Sequence, residues 1–277
     1  MRSPIARSVR IAAREASAFA RRLRAARPGT ARVIYYHRID DEDHRSCVSP
    51  RAFTEQMAHL RSEGYAILHF ADLRDYLDAR RPFPERAVAV TFDDGFADNY
   101  TNAFPILVRH SIPATIFLAT GYVDGPELPV LRDRGGIAPL GWKQIREMAG
   151  AGVAFGAHTV THRSLTALDA NELRREVVES GRTVEEHTGM RCESFCYPRG
   201  HFDEAAKRAV REAGYRVACT TLPGLVTPDT HPYSLRRTFI ARDDSLRDFL
   251  RKLDGSFDVL HSARQWLRRG AAAGTAH

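Results

Sequence analysis

The stretch Val88-Ala89-Val90-Thr91-Phe92-Asp93-Asp94-Gly95 decides how the rest of the chain is read. A β-branched, apolar run is followed at once by two carboxylates and a glycine. A run that is apolar at consecutive positions fits a strand buried on both faces of a parallel sheet. Carboxylates stand at the mouth of such a strand when they are paired or hold a cation, because burying a bare charge is unfavourable. In α/β sheets and barrels, sites are built at the C-terminal strand ends. Adjacent strand residues point to opposite sides. Asp93 and Asp94 are therefore expected to have different tasks, one holding a metal and the other facing a substrate.

Outward from this strand, apolar runs alternate with amphipathic ones. Residues 32–38 read as a strand, and Ser49 followed by Pro50 caps a helix that runs to Glu63 and stops at Gly64. Further strands are expected at 66–70, 86–92, 114–119, 153–157, 194–197, 216–220 and 233–240. Helices are expected at 71–80, 99–110, 140–149, 168–188, 203–213 and 245–269, with a Gly/Pro-rich loop over 121–138. Regular alternation with this many strands fits either a barrel or a doubly wound sheet. The 277 residues, 43% hydrophobic and 27% charged, suit one large α/β domain with a sizeable core.

The net charge of +7 is uneven. Residues 1–32 hold nine Arg against Glu15 alone, a local +8, so the total of +7 leaves −1 for the remainder. That distribution describes a basic arm on a near-neutral body and excludes a uniform nucleic-acid-binding face. Ile5, Val9, Ala12, Ala16, Phe19 and Leu23 recur at spacings of four and three among the arginines, so residues 1–31 read as a basic amphipathic helix. It is expected to dock on the domain or lie free in solvent, with peripheral contact to an anionic membrane as the sharper alternative. A barrel over 32–270 and a disordered 271–277 tail complete the division. Without a recognisable secretory signal or a membrane-spanning apolar run, a cytoplasmic location is expected. Cys47, Cys192, Cys196 and Cys219 form no C-x-x-C pair and read as buried thiols.

Two further stretches carry chemistry. In Gly156-Ala157-His158-Thr159-Val160-Thr161-His162, two histidines four apart begin where a strand ends. This suits half of a divalent-metal site, although in isolation it suits equally two polar residues at a loop-to-helix junction. The strand-end Asp-Asp-Gly upstream favours the metal reading, since two imidazoles and one carboxylate leave positions open for water and substrate. In Phe195-Cys196-Tyr197-Pro198-Arg199-Gly200, a strand is broken by Pro and Gly, and its end presents backbone N–H groups suited to an oxyanion.

With these three stretches in order, residues 32–240 resemble the polysaccharide deacetylases, carbohydrate esterase family four. T-F-D-D-G at 91–95 is similar to the family's first motif, H-T-x-x-H at 158–162 to the second, and F-C-Y-P-R-G lies where the third falls. The resemblance implies a distorted (β/α)7 barrel that removes N-acetyl groups from amino sugars with a bound metal, commonly zinc, with Co2+, Ni2+ or Mn2+ as alternatives. It implies Asp93 as general base, Asp94, His158 and His162 as metal ligands, and the backbone N–H of Arg199 as an oxyanion donor.

The chain departs from the pattern in two places. Cys196 stands where an arginine usually steadies the base, and the late Leu-His-Asp motif has no clear counterpart. His261 lies in the expected closing helix and reads as structural. His37, in Tyr35-Tyr36-His37-Arg38, resembles the early histidine of the poly-N-acetylglucosamine deacetylase subgroup and is the candidate general acid. Arg237 is either the substitute partner of Asp93 or a surface arginine. Trp142, Tyr197 and Pro198 are candidate substrate contacts, with Trp142 either a sugar-stacking wall or a core residue. The rival readings are a related barrel cutting a cyclic ureide or imide, a non-catalytic glycan-binding homologue, and a protein acting through its basic arm.

Overall fold

A computed structural model of the chain describes residues 29–78, 83–125, 137–255 and 258. The expected basic helix falls almost wholly outside the described residues, as do His261, most of the second half of the expected closing helix and the 271–277 tail. In chain order the elements are β1 (Ala31–Tyr36), β2 (Arg38–Ile39), β3 (Cys47–Val48), α1 (Pro50–Ser62), β4 (Ala66–Leu68) and α2 (Leu73–Leu77). There follow β5 (Ala87–Phe92), α3 (Phe104–Arg109), β6 (Ala114–Leu118), α4 (Trp142–Gly150), β7 (Ala154–Ala157) and α5 (Ala170–Thr188). Then come β8 (Ser194–Cys196), α6 (Glu204–Glu212), β9 (Val217–Cys219), β10 (Leu225–Val226), β11 (Thr238–Phe239) and α7 (Leu246–Asp254).

Strands β1, β5, β6, β7, β8 and β9 pair in that order, all parallel. The two ends of this sheet meet through residues 235–239: Leu235 bridges Cys219, while Thr238 and Phe239 pair with Ile34 and Tyr35. A segment that must serve one neighbour and then the other keeps little regular ladder. The expected strand over 233–240 is accordingly only two residues of regular strand. The result is a distorted seven-strand barrel, and the doubly wound alternative falls away. Distortion recurs at β5, where β4 pairs with its first half and β6 with its second.

Strand alternation sorts the residues. Ala31, Val33, Ala87, Ala89, Phe117, Cys196, Val217, Cys219 and Leu235 fill the barrel interior. Ile34, Tyr36, Val88, Val90 and Phe92 pack outward against the helices. Carried one step further, the interior columns 31-33-35, 87-89-91 and 235 end at His37, Asp93 and Arg237.

Capping follows the sequence. Ser49, Asp169, Asp203 and Ser245 each accept a backbone N–H at the start of α1, α5, α6 and α7. Two expectations need correction. The helix over 99–110 opens as a π-helical turn at Asn99–Ala103, because Pro105 has no N–H to continue the α ladder back to residue 101. The helix expected from 140 starts at Trp142. Helix α7 is capped at Gly255, whose φ of 81° is left-handed, and beyond it the expected closing helix lies almost wholly outside the described residues. Among the described residues, no helix is long and apolar enough to cross a membrane.

Candidate active site

Asp93 sits at the interior mouth of β5, 3% exposed, beside Arg237, which is fully buried. The guanidinium donates to both carboxylate oxygens at 2.7 Å, Nη1 to Oδ1 and Nη2 to Oδ2. Arg237 is itself fixed by Nε donating to the Thr220 carbonyl at 3.0 Å and Nη1 to Thr91 Oγ1 at 3.2 Å, with Tyr35 stacked 4.3 Å from its carbon. This settles the choice left open by the sequence: Arg237 is the partner of Asp93. The Cys196 thiol, kept neutral because burial pushes it well above its usual value, contacts Arg237 Nη2 at 3.1 Å and Asp93 Oδ1 at 3.7 Å. Burial alone would raise the Asp93 carboxyl, but the Arg237 charge outweighs it and holds Asp93 below the usual value.

Asp94 turns the other way, on a left-handed backbone with φ of 74°. Its Oδ1 lies 3.4 Å from His158 Nε2 and 3.2 Å from His162 Nε2. That oxygen is buried yet makes no hydrogen bond. Three buried ligand atoms converging on one point without bonding each other are the donor set of a divalent-metal site. His158 Nδ1 is 2.6 Å from the Cys196 carbonyl, which selects the tautomer that frees Nε2 for a cation. Burial raises the Asp94 carboxyl, and the two imidazoles overcome this, so it stays anionic far below neutral pH. The residues fit a metal of oxygen–nitrogen preference.

His37 is half-buried, and its Nδ1 is buried with no hydrogen-bond partner among the described residues. Its carbonyl accepts from Asn99 Nδ2 at 2.8 Å, which pins the end of β1. His37 and Arg237 line a cavity of about 580 Å³ with Tyr35, Arg45 and Phe239. On the other side, His162 and Arg199 line a cavity of about 480 Å³ with Tyr122, Thr161 and Arg163. The cluster therefore lies between two open volumes. Arg199 has a left-handed φ of 58° and an exposed side chain.

The candidate substrate contacts fare differently. Tyr197 is fully buried, donates its hydroxyl to the Tyr233 carbonyl at 3.0 Å and packs on Phe195 and Phe202, because its place just after β8 puts it on the same outward side as Phe195. Pro198 is buried beneath the turn. The Trp142 indole stacks on His187 of α5 at 4.0 Å and lines neither cavity. All three are packing residues here.

Several supports carried no sequence signal. Among the described residues, seven non-glycine positions have positive φ, and Asp94, Thr159, His162 and Arg199 are four of them. Each such residue costs on the order of 1–3 kcal/mol and persists only where its surroundings over-determine it. At the His-x-x-x-His turn, Thr159 Oγ1 accepts from His162 N at 2.9 Å, while the Thr159 and Val160 carbonyls accept from Thr120 N and Gly121 N. Glu176 of α5 also reaches this turn. All four cysteines are free and buried, as expected.

A parallel barrel with such a cluster at its C-terminal mouth has the donor set that metal-assisted hydrolases use. The sequence profile of the polysaccharide deacetylases matches residues 80–218, and the chain belongs to that family. It is 28% identical over 258 residues to the poly-β-1,6-N-acetyl-D-glucosamine N-deacetylase of Escherichia coli strain K12, covering 80% of this chain and 38% of that protein. It is 25% identical over 231 residues to the enzyme of that name from Staphylococcus aureus strain MRSA252, covering 80% of this chain and 77% of that one. The crystallised Streptococcus pyogenes deacetylase PplD, in complex with acetate, superposes with a TM-score of 0.72 at 25% identity, over 82% of this chain and 99% of that one. Members of the family use a divalent metal, and the Asp94–His158–His162 group is where this chain can hold one.

Proposed function

We propose that this chain removes N-acetyl groups from an amino-sugar glycan or glycan precursor. Asp94, His158 and His162 hold the metal, which is Zn2+ in this proposal. Held by these residues, such an ion would supply Lewis acidity toward the amide oxygen and would lower the pKa of water from about 15.7 toward about 7. Asp93 is the general base: its carboxylate is ionised and oriented by Arg237. Arg199 offers its backbone N–H to the developing oxyanion. His37, at the opposite cavity, delivers the proton that the amine needs as the C–N bond breaks.

The observation that carries this reading is the separation of the two carboxylates. Asp93 is engaged by Arg237, while Asp94 faces only the histidines. A glycan-binding homologue has no use for a locked base beside an independent ligand set. Acetate release from N-acetylated oligosaccharides, lipid-linked sugars and nucleotide sugars is the test, with bound metal measured by mass spectrometry and Asp93→Asn as control. Metal binding without acetate release from any of these would sink the proposal. A cytoplasmic location, with the basic arm touching the inner membrane face, is a separate proposal tested by cell fractionation.

A further inference from the structure

We propose that Glu176 is a positioning residue for the two histidine ligands, acting through the turn that joins them. The inference rests on the reading of Asp94, His158 and His162 as a metal site. Residues 158–162 make a tight reversal, with Thr159 and His162 at φ of 67° and 55°. Such a turn aims successive N–H groups the same way, forming an anion-binding concavity. The group that fills it is the protein's own: Glu176 Oε2 accepts from Val160 N at 2.8 Å and Thr161 N at 2.9 Å, and Oε1 accepts from the Thr161 hydroxyl at 2.6 Å. Glu176 is 1% exposed, and no cation neutralises it among the described ion pairs.

A buried carboxylate taking three hydrogen bonds from one turn is a charge-assisted clamp. The opposite side of the turn is held by Thr120 N and Gly121 N on the Thr159 and Val160 carbonyls. The turn is thus gripped between α5 and the segment after β6, and both ligand imidazoles hang from it. Without the Glu176 carboxylate, two part-buried N–H groups lose their acceptor and the left-handed residues lose what holds them. The spacing between His158 Nε2 and His162 Nε2 then becomes variable. Outer supports of this kind govern metal affinity rather than chemistry.

The test is competition for Zn2+ between the apo-protein and a chromophoric chelator, with apo-protein thermal unfolding in parallel. Glu176→Ala is expected to weaken Zn2+ binding by about 10–100-fold. Glu176→Gln should restore most of the affinity, because its amide oxygen can keep both backbone N–H bonds while the Thr161 hydroxyl turns to accept from its NH2. Thr161→Val, at an exposed position, should fold normally and give a smaller loss. A role confined to folding would lower apo-protein stability and leave Zn2+ affinity unchanged in all three variants, which overturns the proposal. If Glu176→Ala does not fold, unchanged affinity in both Thr161→Val and Glu176→Gln overturns it equally. Failure of wild-type protein to bind Zn2+ would instead sink the metal-site reading beneath it.

Discussion

Asp93 is pulled in two directions, by burial that disfavours its charge and by Arg237 that favours it more. Removing Arg237 leaves burial alone. In Arg237→Met the acidic limb of the kcat/KM–pH profile should move to higher pH, because Asp93 is then a harder acid to ionise. Breaking a buried pair from one side also destabilises by about 3–5 kcal/mol, which urea unfolding at pH 7 would measure. The sign with pH follows from the same shift. The folded carboxyl ionises below its ordinary 3.8, so the pair's contribution is complete above that value and is lost as pH falls through the folded value. Wild-type stability should therefore fall more steeply than that of Arg237→Met below about pH 4. Asp93→Asn keeps shape and metal ligands, and its kcat should drop by about 10²–10⁴-fold with bound Zn2+ unchanged. Retained activity would remove Asp93 from the base role.

At the scale of elements, β5 was legible because an all-apolar run ending in two acids has few other meanings, and its alternation carried Asp93 inward and Asp94 away. The His158–His162 spacing was legible for the same reason. Tyr197 shares the outward side with Phe195 and packs on Phe202, and a three-residue strand without polar alternation does not show in the sequence which side is outward. The stacking of Trp142 was not legible because its partner, His187, comes from a helix far along the chain. Glu176 and Gly121 were invisible: each acts on backbone atoms of a distant turn, and a backbone partner leaves no pattern in side-chain spacing. Gly121 shows the consequence. A Cβ there would stand 2.7 Å from the Val160 carbonyl oxygen, a backbone atom of the ligand turn. Gly121→Ala should force the turn to shift, lowering stability by about 1–3 kcal/mol in urea unfolding. It should also weaken Zn2+ affinity, whereas Gly150→Ala, with open space around it, should leave Zn2+ affinity unchanged.

At the scale of the whole molecule, the chemistry of the described residues gathers at one end of the barrel. The groups assigned to catalysis or to metal lie between His37 and Arg237, gathered at the C-terminal mouth of the barrel. The basic arm joins at Gly29, at the start of β1, and β1 runs six residues to the mouth. At about 3.3 Å per residue, that places the junction roughly 20 Å from the site. A charge at the junction itself is screened at that distance, since the Debye length is about 8 Å at physiological salt. A chain truncated to residues 29–277 should therefore release acetate from a small soluble substrate as fast as the full chain does. Its thermal response to metal should match as well. At a Zn2+ concentration 100 times Kd the site adds about 2.7 kcal/mol, enough to raise Tm by roughly 5–10 °C in a chain of this size. Calorimetry of both chains, with and without a chelator, checks this. Equal metal-dependent shifts with equal acetate release place the catalytic unit in the barrel alone, while a loss of either in the truncated chain would mean that the arm completes the site.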